Sequence, residues 1–382
     1  MDLIAGRAYA DERRPIRHLD PVLLAIAGAL VVLGFFLLYS ATHQTLAQDG
    51  LDPFSRVKKQ AVTAVLGVVI VLVIATIDYR FFKVYAGFIY GGTVVALVLV
   101  RIPFIGSTDA TGTAQRWFSI AGFQLTPSEF AKAAVIVMLA AMMSELRVAV
   151  PSVQDLLRLV GVALVPLLLV FIQPDIGTSI VLVAIVVGML IIAGTRPRHL
   201  VVLSLSGFVL ILFALQLGVI KDYQLSRLTV FIDPAHASED ARYNLDQSLI
   251  AVGSGGLFGR GYLSGTQTTL DYVPEQHTDF IFTVAGEEFG FVGASFVLLL
   301  YAVLLWRAIR IAYLSKDPFG TYLAAGVASM FAIQVFVNVG MVIGIMPITG
   351  IPLPFLSYGG SSMLASFLGI GLLLNVHMRR FK

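Results

Sequence analysis

The sequence predicts an all-α, polytopic membrane protein with about ten transmembrane helices and one long extracytoplasmic loop between the seventh and the eighth. Three observations carry that prediction. Of 382 residues, 58% are hydrophobic and only 13% charged, whereas soluble domains run at about 45–50% and about 25%. A globule this apolar could not cover itself with polar surface, so a soluble enzyme is excluded; mean hydropathy is +0.88. The apolar residues also gather into ten runs, most of them near the roughly 20 residues that a bilayer-crossing helix needs. Finally, Lys and Arg are unevenly shared between alternate connecting segments, as membrane sidedness requires. The net charge of +3 follows that sidedness, so nucleic acid is not an expected partner. With no cysteine, disulfides, thiol nucleophiles and thiolate metal sites are excluded.

The first 19 residues are largely polar and include Arg7, Arg13, Arg14 and Arg17. The apolar run behind them is long and lacks a small-residue cleavage site, so no cleavable signal peptide is expected. Run 20–41 opens with Asp20-Pro21, a capping side chain before a proline at the first helical position. Runs 57–77 and 82–101 follow. Run 127–145 opens the same way, with Thr126-Pro127. Run 156–172 is short, contains Pro166, and meets run 176–194 at Gln173-Pro174-Asp175, which predicts a tight helical hairpin. Runs 198–219, 279–306, 320–345 and 353–376 complete the set. With the N-terminus inside, the inside segments hold 16 Lys and Arg and the outside segments 9, Lys132 lying within a run. Both termini are therefore expected in the cytoplasm, and an even number of spans agrees. No internal repeat or low-complexity segment interrupts what reads as one integral-membrane domain, 1–382.

The connections are unequal. Segment 220–278 is by far the longest, and long loops are usually functional or disordered. It holds a short amphipathic stretch, 243–252, then Gly253, Gly255, Gly256, Gly259 and Gly261, with 4 basic residues against 7 acidic ones. It reads as an ordered, glycine-hinged lid; a plain connector is the alternative.

Charges inside apolar runs are costly and mark function by default. Glu129 and Lys132 are three apart, on one helical face; they fit a buried ion pair that orders the bundle or a direct substrate contact. Glu287 and Glu288 have no positive neighbour in sequence and need a partner from another helix or a water-filled cavity, or else a structural hydrogen bond to backbone. Asp279 stands at the junction of the long loop and the eighth run, in Pro274-Glu275-Gln276-His277-Thr278-Asp279-Phe280, with Thr283 and Glu287 following at four-residue steps. Taken alone it could be a plain helix cap, and the helix dipole should keep it ionised. Residues 347–362 carry three prolines and three glycines. Such a stretch frees backbone groups, which in lipid must be buried in protein or line a wet pocket; close helix packing through small residues is the other reading. These features converge, with Arg116-Trp117, on the outer leaflet. The six histidines are scattered, and neither metal-ligand spacing nor a phosphate-binding glycine loop is present.

On these residues the chain resembles the SEDS family (shape, elongation, division and sporulation) of membrane peptidoglycan polymerases. The motifs are Ala114-Gln115-Arg116-Trp117, Pro127-Ser128-Glu129 with Lys132, Gln173-Pro174-Asp175-Ile176-Gly177-Thr178, Gln247-Ser248 with Ser254-Gly255-Gly256, residues 274–282 with Glu287-Glu288, and residues 347–362. The stretch Ile348-Thr349-Gly350-Ile351-Pro352-Leu353-Pro354-Phe355 looks like the elongation branch rather than the division branch. The resemblance implies a peptidoglycan glycosyltransferase that polymerises lipid II into β-1,4-linked glycan at the outer face of the bacterial cytoplasmic membrane, releasing undecaprenyl pyrophosphate. It implies Asp279 as the catalytic residue and Arg116, Glu129, Lys132, Asp175, His277, Ser357 and Tyr358 as substrate contacts. It also implies a class B penicillin-binding protein as the transpeptidase partner, membrane lipid around the spans, and a divalent cation, Mg or Mn, as a candidate cofactor. Two rivals remain: a lipid II flippase, which fits buried charges and broken helices but not the lack of repeated halves, and a non-catalytic scaffold, which leaves the intramembrane charges unexplained.

Overall fold

The computed structural model describes residues 18–102, 104, 106–108, 115–120, 123–146, 150–216, 222–233 and 238–380. Each of the ten apolar runs holds one long helix. These are α1 (Pro21–Gln48), α2 (Ser55–Thr76), α4 (Ala86–Leu99) behind the short α3 (Tyr79–Val84), α5 (Pro127–Ser144), α6 (Val153–Ile172), α7 (Ile176–Ile192), α8 (Pro197–Gln216), α12 (Ile281–Tyr313), α13 (Pro318–Val342) and α14 (Gly360–Met378). Seven are long and apolar enough to cross a membrane; α4, α7 and the first part of α8 are apolar but shorter. The protein is a multi-pass membrane protein.

The bundle has an interior and a lipid face. Of the most apolar stretch, 78% is buried in α5 and in α13 and 89% in α14, against 22% in α6. Leu157, Leu164, Leu168 and Ile172 leave one face of α6 exposed. Lipid tails are as apolar as leucine, so helices associate here by close packing rather than by hydrophobic burial. α13 lies against α5, α7 and α12, and α14 against α2. Gly188 of α7 shows the close approach: a β-carbon there would meet the Ser329 hydroxyl of α13 at 2.2 Å.

One end of the bundle, here the terminal end, is locked by polar side chains. Asp20 caps α1 by accepting from the Leu23 amide at 3.1 Å and pairs with the Arg307 guanidinium, both buried. The Asn375 side-chain NH₂ donates to the carbonyl of Ile77 at 2.7 Å. Its oxygen accepts from the Tyr79 amide at 3.1 Å and from Arg379 at 2.6 Å. The Tyr79 hydroxyl donates to Asp317 at 2.6 Å, and Asp317 in turn caps α13 through the Gly320 amide. The sequence reading did not anticipate this network.

At the opposite, loop end the structure refines the expectations. Segment 220–278 is largely helical: α9 (Asp222–Ile232), α10 (Glu239–Ser254) and α11 (Thr266–Thr269), the amphipathic stretch lying inside α10. A small antiparallel sheet, β1 (Ser107–Thr108), β2 (Gln115–Ile120) and β3 (Phe123–Leu125), precedes α5. Its residues do not alternate cleanly between apolar and polar, so no strand was foreseen. Thr126 stands at the N-cap of α5 but its side chain makes no capping bond; its amide is instead donated to Ser361 of α14 at 2.8 Å. The last helix begins at Gly360, not at 353, because the prolines of residues 347–354 keep the chain irregular.

Candidate active site

The freed backbone of residues 347–359 is satisfied by side chains from three helices, as burial in an apolar medium demands. The Asn338 NH₂ of α13 donates to the Ile351 carbonyl at 2.7 Å. Gln60 of α2 donates to the Ser357 carbonyl at 3.0 Å, and Tyr301 of α12 donates to the Pro354 carbonyl. The same Asn338 NH₂ donates to the carbonyl of Asp279, also at 2.7 Å. One amide thus pins the turn to the head of α12.

A helix break fixes the loop against that head. Gly290 interrupts α12 with φ 65° and ψ −162°, a conformation open to glycine alone. The carbonyls of Glu287 and Glu288 accept from the amides of Arg260 and Gly261, and the amides of Phe291 and Val292 donate to Gly256 and Leu257, all within 3.1 Å. The glycine-rich turn after α10 therefore docks backbone to backbone. The Glu287 carboxylate, fully buried, accepts from the amides of Gln267 and Thr268 at 2.8 and 2.9 Å, at the start of α11. Glu288 accepts from Ser40 and from the Leu263 amide. Among the described residues, the loop and α1 supply the hydrogen-bond partners of these two carboxylates, and no cation pairs with either.

Two adjoining cavities, of about 130 and about 120 Å³, lie between the sheet, the heads of α5 and α7, and the 347–359 turn, and share Arg116, Asp175 and Gly350. Glu129 and Lys132 line the first. Lys132 is 2% exposed and donates to Glu129 at 2.7 Å, so the pair read from the spacing forms and also faces the cavity. Arg116 lines both cavities while donating to the carbonyls of Gln173 and Pro174 at 3.0 and 2.6 Å, which sets the α6–α7 hairpin. Asp175 caps α7 through the Thr178 amide at 3.0 Å and accepts from Ser128 at 3.1 Å.

Asp279 and Arg227 line the second cavity. The N-cap of α12 is Phe280, without a side-chain capping bond, so Asp279 is not a cap. Burial pushes its carboxyl up to about 6; Arg227 and Arg116 pull it down, Glu275 and Asp175 add to the rise. Desolvation outweighs the two guanidiniums, yet at about 6 the carboxyl is still largely ionised at neutral pH. A pKa near the working pH suits a general base.

The structure thus brings together Arg116, Glu129, Lys132, Asp175 and Asp279. It places His277, Ser357 and Tyr358 elsewhere. Ser357 is buried and accepts from the Leu353 amide at 2.8 Å. His277 accepts at its carbonyl from the Tyr358 amide at 2.9 Å, and the two rings lie 5.8 Å apart; burial and Arg56 hold the imidazole down to about 4. Arg227 was missed because a basic residue in a polar loop carries no signal of its own. Among the described residues no group of three His, Asp or Glu converges as a metal cage. The two carboxylates on the second cavity, Asp175 and Asp279, do suit a divalent cation shared with substrate phosphates, the manner in which Mg²⁺ is usually held.

Comparison with known proteins bears on what this arrangement is for. The sequence profile of the FTSW_RODA_SPOVE family, described as cell cycle protein, matches residues 21–382. Stage V sporulation protein E of Bacillus subtilis is 38% identical over 362 residues, covering 94% of this chain and 96% of that protein. Peptidoglycan glycosyltransferase MrdB of Escherichia coli K12 is 36% identical over 369 residues, covering 95% and 94%. A chain in a solved structure described as structural coordination of polymerization and crosslinking by a peptidoglycan synthase complex superposes with a TM-score of 0.81 at 30% identity, covering 95% of this chain and 99% of that one.

Proposed function

The chain belongs to the FtsW/RodA/SpoVE family, the SEDS proteins, and from that premise we propose how its cavity works. It is a membrane peptidoglycan glycosyltransferase. In our reading its substrate is lipid II, and Asp279 is the general base. The 4-hydroxyl of the acceptor GlcNAc attacks the anomeric carbon of the donor MurNAc. The new C1–O4 bond forms as the bond from C1 to the pyrophosphate oxygen breaks, with inversion to a β-1,4 linkage. The hydroxyl proton passes to the Asp279 carboxylate, and undecaprenyl pyrophosphate leaves with the electron pair. A sugar hydroxyl is a poor nucleophile, which is why a positioned carboxylate helps. The leaving group needs positive charge rather than a protonating acid. Arg116 and Lys132 stand beside the cavity to supply it, Arg as a bidentate donor and Lys as a point charge. A divalent cation, when bound at Asp175 and Asp279, would add charge neutralisation on the pyrophosphate.

The observation that carries this reading is the one cavity that Asp279, Asp175 and Arg116 all line. The reaction face is taken as extracytoplasmic and both termini as cytoplasmic, on the Lys and Arg distribution. Impermeant labelling of a cysteine placed at Ser238 should succeed in intact cells, and labelling of one near the N-terminus should not. Relatives at 38% and 36% identity carry sporulation and glycosyltransferase names, so identity alone does not assign the cellular role. The 348–355 motif favours elongation and rod shape, the role of RodA. A crosslinking partner, a class B penicillin-binding protein, is supported by the synthase complex in which the similar chain was solved; co-purification in mild detergent tests it. The decisive experiment is purified protein with lipid II alone. Polymer is the expected product, whereas a flippase or a scaffold would leave the lipid unreacted.

A further inference from the structure

We propose that Asn338 of α13, which itself lines neither cavity, is a positioning residue that sets where the Asp279 carboxylate stands. The inference rests on Asp279 being the base. The Asn338 side chain is fully buried. Its one NH₂ group donates to two carbonyls, those of Asp279 and Ile351, each at 2.7 Å. Neither carbonyl has a backbone donor among the described residues. The Thr283 amide turns to Phe280, which leaves Asp279 outside the ladder of α12, and Ile351 lies in the irregular turn. The side-chain oxygen of Asn338 has no hydrogen-bond partner among the described residues. The residue is therefore used as a double donor, and both of its bonds join the backbone of the proposed base to the turn that faces it.

The clearance fixed in this way is narrow. Gly350, next to Ile351, lies in left-handed backbone at φ 71°. A β-carbon there would stand 3.1 Å from the Asp279 carboxylate and 3.5 Å from an Arg227 terminal nitrogen. On its other side the turn presses on the head of α7, just after the Asp175 cap. A β-carbon at Gly177 would meet the Thr349 carbonyl and the Ile351 side chain at 2.9 Å each. The turn thus sits between two walls of the second cavity, with Asp279 on one and Asp175 on the other. Close packing holds it against α7, and the two bonds of Asn338 hold it against Asp279. Were it to shift by about an ångström, the spacing of Asp279 from Asp175 and Arg116 would change, and a misplacement of that size can cost about 10²-fold in rate. The pattern also accounts for the residue type. An aspartate of the same shape would set oxygen against two carbonyl oxygens, and a leucine would leave both carbonyls without a donor.

The test is the rate of lipid II polymerisation by purified full-length wild type, N338L, N338S and D279N across lipid II concentrations, with a melting curve for each. N338L should lower kcat by at least about tenfold and keep KM within about twofold of wild type, in protein that still melts cooperatively. N338S, whose hydroxyl is shorter and has one proton to donate, should show the same split. A folded N338L enzyme with the wild-type kcat, or one whose loss lies in KM, overturns the proposal and leaves Asp279 as the base. An early melt with an unchanged rate per folded molecule overturns it too, since a brace that only stabilises the fold would give that result. If N338L does not fold, N338S decides by the same criterion. A D279N enzyme that polymerises near the wild-type rate would instead remove the base reading itself, and with it the premise for Asn338.

Discussion

At the terminal end of the bundle Asp20 and Arg307 meet in a buried pair, Asn375 uses both ends of its amide, and Asp317 joins a helix cap to a tyrosine hydroxyl. At the loop end Asp279 looks into a cavity, faces Arg227 without touching it, and sits between two other carboxylates. Both ends bury charge in a medium that penalises it. The terminal end pairs each of these named groups and gains order. At the loop end the Asp279 carboxylate has no direct hydrogen bond among the described residues, a condition that costs stability and makes it reactive. A buried charge in a membrane protein therefore reads as structural or chemical according to whether its hydrogen-bonding capacity is filled.

The sharpest break in that contrast is Asp279→Asn. General acid–base groups contribute typically 10²–10⁴-fold, so polymerisation of lipid II should fall by at least about 10²-fold while expression and partner binding persist. Arg307→Met should do the reverse. Removing one member of a buried pair costs about 3–5 kcal/mol, so this variant should melt early or accumulate poorly. Whatever folded fraction remains should keep its rate per molecule. Gly290→Ala tests the loop end as architecture. A β-carbon there would come within 2.3 Å of the Gly259 amide nitrogen, and a non-glycine residue in this backbone costs on the order of 1–3 kcal/mol. Protease cleavage within 253–261 should speed up and activity should drop with it. The smallest effect is expected from pH alone: the wild-type rate should fall roughly tenfold per unit below about pH 6, as Asp279 takes up its proton.

Hydropathy made the apolar helices legible, seven of them long enough to cross a membrane, because a span must be apolar over its whole length, and Asp20-Pro21 announced a cap that does form. Glu129 with Lys132, and Asp279, stood out because charge is rare where they lie. The same logic failed in polar surroundings: Arg227 is one basic residue among several in a loop, and only the fold carries it to Gly350. Glu287 was visible as a charge, but its partners, two backbone amides of α11, have no sequence signature. Thr126 shows the limit of local motifs, since a capping residue was present and its side chain was left out of the cap. Ser357, His277 and Tyr358 lie in or beside motifs that resemble the family's, yet a motif does not say which of its residues face a cavity and which brace the turn behind it.

The central claim is that the loop end holds its carboxylate at a cost to stability. The most direct measurement is the melting temperature of wild type and Asp279→Asn across pH. Asp279 has a folded pKa of about 6, above its ordinary 3.8, so the folded state binds the proton more tightly than the unfolded chain. Stability from this group is present at low pH and is lost as pH rises from about 4 through about 6. The account predicts that Asp279→Asn melts as high as wild type or higher at pH 8, with the difference shrinking toward pH 5. An Asn variant that melts clearly lower at pH 8, as a lost structural ion pair would, contradicts it.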